Sequence, residues 1–362
     1  MTVAKKKPPL YGQLEGPRPW AIVQAEGLAL LDQLPPGSVD AVVTDPPYGI
    51  SFAREEWDSG RLADGQGFED FTGWCAKAAL RVLRPGGYLA AFGAPRTFHR
   101  LVCGLEDAGF DIRDQLLWFY GGAGFAKSRR IQELQPGQGD LGTALKPTYE
   151  PIALVRKPLV AGYQVADHVR QFGTGAMQID AAGVPRKSGE GSRWPAHLAL
   201  THLPGCATGT EALDDHALLT ETSGCLPDCP VPLIDQIAKG AIKPPSRLFY
   251  AAKASPKERE AGLEAIEAVR RPVFGKQAGK APVRSNIHPT VKPIAVMRHL
   301  VRLLVPPGGV VLDPFCGSGS TGIAAVLENR PFLGIEQQPD YSRIARHRIT
   351  HWRAMAARRI EP

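Results

Sequence analysis

The chain has 362 residues, 43% hydrophobic and 22% charged, which is enough to bury a large core and excludes a disordered or low-complexity protein. No run of about 18 or more apolar residues occurs, the start Lys5-Lys6-Lys7-Pro8-Pro9 lacks a signal peptide's apolar stretch, and six cysteines form no disulfide array, so a cytoplasmic protein is expected. A formal charge of +7 and a pI near 9.1 favour a polyanion as partner, with nucleic acid first.

Residues 1–19 read as a flexible basic arm. Trp20 to Ala25 follows as a short strand with Glu26 at its end, either a ligand contact or a solvated loop acid. Leu28 to Leu34 predicts a short helix, which Pro35-Pro36-Gly37 breaks. The apolar run from Val39 then predicts a buried strand that stops at Asp45-Pro46-Pro47-Tyr48. Prolines cannot donate to a sheet ladder, so Pro46 and Pro47 end the strand at its carboxyl edge, where open α/β sheets bind ligands. Asp45 and the Pro46 carbonyl can accept both hydrogens of a planar amine, and the Tyr48 ring can stack on the heterocycle that carries it. The bland alternative is a turn that only closes a strand.

From Phe71, the positions Trp74, Cys75, Ala78, Ala79 and Val82 have helical spacing, and Arg84-Pro85-Gly86-Gly87 ends that helix before a strand from Tyr88 to Phe92. A helix from Arg96 to Ala108 and a strand from Asp111 to Tyr120 follow. The glycine-rich turn with Lys127, Arg129 and Arg130 reads either as phosphate contacts or as a solvated loop. Lys146-Pro147-Thr148-Tyr149-Glu150 opens another strand, to Val155, and supplies Tyr149 as a second aromatic for the corner. Alternation of strand and helix argues for a sheet covered on both faces.

Across 159–286 that alternation is lost and prolines, glycines and charges are dense, which predicts a second domain inserted between halves at 20–158 and 287–362. His202 and Cys206, with Cys225 and Cys229, have the donor types of a structural zinc site, or they are free thiols in a loop. Trp194 with Arg186, Lys187 and Arg193 offers rings and cations to a nucleic acid, or is an exposed face.

After His288-Pro289-Thr290-Val291-Lys292-Pro293 come a helix, Ile294 to Leu304, and a strand, Val310 to Leu312, ending in Asp313-Pro314-Phe315-Cys316-Gly317-Ser318-Gly319-Ser320-Thr321-Gly322. A helix from Ile323 to Leu327 and a strand from Pro331 to Ile335 follow. Glu336 caps that strand, where a carboxylate suits the two hydroxyls of a ribose. A last helix begins at Asp340, with Tyr341, Ile344, Ala345, Trp352 and Met355 on one side. Gly317, Gly319 and Gly322 satisfy a dinucleotide fingerprint, so an NAD-dependent oxidoreductase stays open on this loop alone, as does a non-catalytic DNA-binding module. Asp313 and Pro314 at the front of the loop suit a positively charged amino-acid end better than a pyrophosphate.

Asp45 to Tyr48, Asp313 to Gly319, and Glu336, in this order, resemble the β class of S-adenosylmethionine-dependent DNA amino-methyltransferases, and the resemblance runs from about Trp20 to Met355. Lys146 to Glu150 and Gly173 to Asp180 are similar to a subgroup common in phages and mobile elements. The resemblance implies a Rossmann-like α/β fold, circularly rearranged, with a mostly parallel sheet, one antiparallel strand, helices on both faces and an inserted target-recognition domain. It implies methyl transfer from S-adenosylmethionine to an exocyclic base amine in double-stranded DNA after base flipping, in a restriction-modification setting, with a homodimer as one arrangement. Asp45, Pro46, Pro47 and Tyr48 become the catalytic set, with Tyr48 and Tyr149 stacking on the base. Glu26, Asp45, His288, Thr290, Lys292, Pro293, Asp313, Pro314, Phe315, Gly317, Ser318, Gly319, Ser320 and Glu336 become the cofactor set; Glu26 departs from the family's usual aspartate. In that family an acid at the first position of the corner usually accompanies N6 of adenine, and serine accompanies N4 of cytosine. The chain has no Pro-Cys dipeptide, so the covalent route to C5-methylcytosine has no candidate.

Overall fold

The computed structural model describes residues 19–52, 55–119, 145, 148–185, 192–195, 197–200, 254–270 and 283–358. Eight strands form one sheet: β1 Trp20–Gln24, β2 Val39–Thr44, β3 Leu83–Phe92, β4 Asp111–Phe119, β5 Tyr149–Arg156, β6 Leu198–Leu200, β7 Val311–Asp313 and β8 Phe332–Glu336, in the order β1-β8-β7-β2-β3-β5-β4-β6. All neighbouring pairs are parallel except those of β5, which runs antiparallel to both β3 and β4. β2 and β7 are neighbours although more than 260 residues of chain separate Thr44 from Asp313, whose side chains are themselves hydrogen bonded. The first and last segments of the chain are thereby joined in the sheet.

Helices cover both faces. On one lie α1 Gly27–Leu31, α2 Gly65–Val82 and α3 Phe98–Asp107; on the other lie α7 Ile294–Leu304, α8 Ser320–Leu327 and α9 Pro339–Arg358. Side chains of β2 alternate between the two layers, as the two-residue period of a strand requires. Ala41 and Val43 join the core of Met297, Ala325 and Ile349, and Val42 joins that of Leu31, Phe68 and Leu101. All six β2 residues are buried, which is why its sequence is an unbroken apolar run with one acid. That acid, Asp40, accepts from Val310 N at 2.7 Å and from Arg84 at 2.8 Å.

Most expected elements lie within two or three residues of their observed bounds. β3 begins at Leu83, five residues early, because Gly86, at φ +74°, lets the chain enter the ladder through a register shift. Both flanks of 159–286 pack on the sheet body. After β5 come α4 Val165–Phe172 and α5 Ile179–Ala182; the Thr174 hydroxyl donates to Pro85 O at 2.5 Å and Gln178 N to Leu303 O at 2.7 Å. On the returning side, α6 Pro256–Glu260 leads to Leu263 and Ile266, which pack on Ile344 of α9. Among the described residues no helix is long and apolar enough to cross a membrane.

Candidate functional site

The carboxyl ends of β2, β7 and β8 meet at one edge of the sheet, and β5, running the other way, begins there. Asp45 stands at the end of β2, and two donors already hold it. Tyr48 OH donates to Oδ1 at 2.7 Å, and the Lys292 ammonium donates to Oδ2. Glu150, the second residue of β5, competes for both: its Oε2 lies 3.2 Å from Tyr48 OH and 3.3 Å from Lys292 Nζ. Lys292 also sits 4.9 Å from the centre of the Phe92 ring and 5.5 Å from that of Tyr48. Burial pushes the lysine pKa down, but Asp45 and Glu150 together outweigh it and hold the pKa above its usual value. Burial, and then the same two carboxylates, push the Tyr48 hydroxyl well up, so it remains a neutral donor.

The loop after the corner is held by a residue that the pattern of the chain did not single out. Asp58 is fully buried, and its carboxylate accepts four backbone N–H groups, from Tyr48 and Gly49 at 2.7 Å, Ile50 at 3.2 Å and Phe52 at 2.7 Å. From the other side the Thr97 hydroxyl donates to Tyr48 O at 2.8 Å. Gly49, at φ +65°, has no room for a Cβ, which would fall 2.5 Å from Leu62 O. Tyr48 is thus fixed by its backbone. Pro46 O accepts no hydrogen bond from the described residues.

The glycine-rich loop follows β7. Asp313 lies beneath it, buried, with Thr44 OH and Phe315 N on Oδ1 at 2.7 and 3.1 Å and Thr321 OH on Oδ2 at 2.6 Å. Burial raises its pKa to about 6, against these three donors. Glu336, at the end of β8, receives Gly317 N on Oε2 and Gln338 N on Oε1, each at 2.8 Å. Gly317 has φ +51°, and a Cβ there would lie 2.7 Å from His288 Nε2, so this loop and the His288 segment approach as closely as backbone allows. His288 packs edge-on against Tyr341 at 4.6 Å. The Ser320 hydroxyl donates to Lys292 O at 2.9 Å, and Arg348, fully buried, donates to Ser318 O and Oγ at 2.6 and 3.1 Å. Pro293 is the N-cap of α7 and Gly319, at φ +82°, that of α8; Thr290 is half-buried.

Phe315 faces Phe71 of α2, ring centres 5.7 Å apart. Gly27 lies under Pro314, whose carbonyl oxygen would be 2.8 Å from a Cβ. Glu26 caps α1, accepting from Leu28 N at 3.1 Å and Ala29 N at 2.6 Å, and is exposed beside this pair of rings.

Of the expected site residues, Asp45, Tyr48 and Lys292 form one cluster, and Asp313 to Ser320, Glu336 and His288 form the other. Tyr149, expected to stack beside Tyr48, lies exposed at the start of β5. Neighbours along a strand point to opposite faces, and here Glu150 reaches the corner. Glu150, Asp58, Phe71 and Arg348 were not expected as site residues. Glu150 had a readable signal, since an antiparallel strand begins where its parallel neighbours end. His202, Cys206, Cys225 and Cys229, with Lys127, Arg129, Arg130, Arg186 and Lys187, lie outside the described residues.

The profile of the N6_N4_Mtase family, described as DNA methylase, matches residues 39–347, a span that takes in both clusters. The chain belongs to this DNA methylase family. The type II methyltransferase M.HindIII of Haemophilus influenzae is 21% identical to this methylase over 372 residues, covering 91% of the chain and 94% of that relative. The putative methylase YubD of Escherichia coli is 42% identical over 62 residues, covering 17% of the chain and 27% of the relative. Among solved structures, the PvuII DNA methyltransferase, cytosine-N4-specific, matches with a TM-score of 0.50 at 15% identity, over 94% of this chain and 93% of that one. That likeness bears on the fold. Membership of the family sets aside the oxidoreductase reading of the methylase's glycine-rich loop.

Proposed function

We propose that this DNA methyltransferase uses S-adenosylmethionine and acts on the N6 amine of adenine in double-stranded DNA. The observation that carries the reading is the state of Asp45 and Pro46. Among the described residues each Asp45 oxygen has one donor and the Pro46 carbonyl has none, which leaves acceptor positions on two neighbouring residues for the two hydrogens of an –NH2 group.

The residues at the neighbouring strand end fit the cofactor. Glu336 is oriented at the end of β8 by backbone N–H groups, Gly317 on Oε2 and Gln338 on Oε1, and a strand-end carboxylate held in this way suits a pair of ribose hydroxyls. Phe315 and Phe71 offer apolar faces to an adenine, with Glu26 beside them. The buried Asp313 carboxylate beneath the loop suits a cationic amino-acid end, and the segment of His288, Thr290, Lys292 and Pro293 meets the same loop through His288 at Gly317 and Lys292 O at Ser320. When bound, S-adenosylmethionine supplies an electrophilic methyl group.

An exocyclic base amine is a poor nucleophile because its lone pair is delocalised into the ring. Asp45 and Pro46 O, accepting both amine hydrogens, localise that pair and aim it, and the Asp45 charge stabilises the positive charge that develops on nitrogen. Asp45 then takes the released proton. To reach this corner the base leaves the duplex, and the Tyr48 ring, fixed through Asp58 and Thr97, stacks on it. An acid at position 45 supports adenine over cytosine. The region 159–286, inserted between β5 and α7, is proposed to choose the DNA sequence.

Incubating the protein with duplex DNA and methyl-labelled cofactor, digesting to nucleosides and separating them tests this directly. Label in N6-methyladenine is expected; label in N4-methylcytosine overturns the base assignment, and label on RNA alone overturns the substrate class.

A further inference from the structure

Asp45 can serve the amine fully only as an uncompensated anion, yet the Lys292 ammonium sits on it. Lys292 is buried, at 6% exposure, with Asp45 at 17% and Glu150 at 21%, so one cation is shared between two carboxylates in a largely water-excluded corner. The Tyr48 hydroxyl is shared in the same way, at 2.7 Å from Asp45 and 3.2 Å from Glu150. In both cases Asp45 holds the closer position and Glu150 the farther one. A shift of about 0.5 Å brings the 3.3 Å separation of Lys292 and Glu150 into the range of a charge-assisted hydrogen bond. Glu150 meets the corner through the Tyr48 hydroxyl and the Lys292 ammonium.

We propose that Glu150 is a positioning residue for methyl transfer: it takes over the Lys292 ammonium and the Tyr48 hydroxyl as the target amine docks, leaving Asp45 free and anionic. This rests on the reading of Asp45 as the amine acceptor. Before docking, the Asp45 charge is neutralised by the Lys292 ion pair. Once an amine approaches, its hydrogens compete for Asp45, and the second carboxylate gives the lysine somewhere to go without leaving a buried charge unpaired.

Glu150→Gln keeps the shape and removes the charge, so Lys292 stays on Asp45. The single-turnover rate at saturating cofactor and duplex DNA is expected to fall about 10²-fold, with the affinity for S-adenosylhomocysteine and the melting temperature unchanged. Glu150→Asp recovers part of the rate. Adding Lys292→Met to Glu150→Gln raises the rate above that of Glu150→Gln alone, because the cation that blocked Asp45 is gone; a merely structural role gives the opposite. Equal rates for wild type and Glu150→Gln, or a double variant no faster than Glu150→Gln, overturns the proposal. The reading beneath it fails separately, if Asp45→Ala transfers methyl groups as fast as wild type.

Discussion

Two strand ends lie side by side at the edge of this sheet, and they are built on opposite principles. At the end of β7 each acid has donors of its own: Asp313 has three, Glu336 has a backbone N–H on each oxygen, and buried Arg348 holds Ser318. At the end of β2 the polar groups are shared, with one lysine and one tyrosine hydroxyl divided between Asp45 and Glu150. Unshared donors suit a ligand that is the same in every turnover, whereas shared partners suit the proposed corner, which receives a flipped base and changes its hydrogen bonds. Under the proposed function the labour divides accordingly: the β7 side binds, and the β2 side transfers.

The largest effect expected from breaking this contrast is at Asp45. Asp45→Ala removes the anion that stabilises charge on the amine and should lower single-turnover transfer by about 10²–10³-fold, measured with labelled cofactor on duplex DNA. On the binding side, Glu336→Gln weakens charge-assisted hydrogen bonds worth about 1.5–3 kcal/mol, so the Kd for S-adenosylhomocysteine should rise about 10- to 100-fold by calorimetry, with the rate at saturating cofactor little changed. Asp58→Ala sharpens the comparison from within the β2 side. It strips four backbone N–H groups of their acceptor and should cost about 1–3 kcal/mol of stability in denaturant unfolding. It should also slow transfer without weakening S-adenosylhomocysteine. The smallest effect is on pH. Asp313 titrates at about 6 in the folded chain, above the ordinary aspartate value, so between about pH 4 and pH 6 the folded state keeps a proton that the unfolded chain has lost. Its contribution therefore lowers stability as pH rises through that window and is level above it. Asp313→Asn should flatten this part of the melting temperature against pH.

Much of the β7 side was legible in the residue order, because close backbone approach and a strand-end carboxylate each demand particular residue types at fixed places. Gly317, Gly319 and Glu336 could be read that way, as could Asp45 with its prolines. The β2 side was legible only in part. Asp58 reaches back ten residues to Tyr48 through a loop with no periodic pattern, and nothing in its neighbours marks it as the loop's anchor. Tyr149 drew attention as an aromatic ring at a strand start, whereas strand alternation brings its neighbour Glu150 to the corner. The packed flanks at 165–182 and 254–270 were hidden because their helices are short, and their apolar residues, such as Met177 and Leu263, are too sparse to show a period.

The measurement that tests the division of labour most directly is calorimetry of S-adenosylhomocysteine on Asp45→Ala, run beside its transfer assay. If the two strand ends act as described, the variant binds with wild-type affinity while transfer to duplex DNA falls by about 10²–10³-fold; weakened binding with transfer retained at saturating cofactor contradicts it.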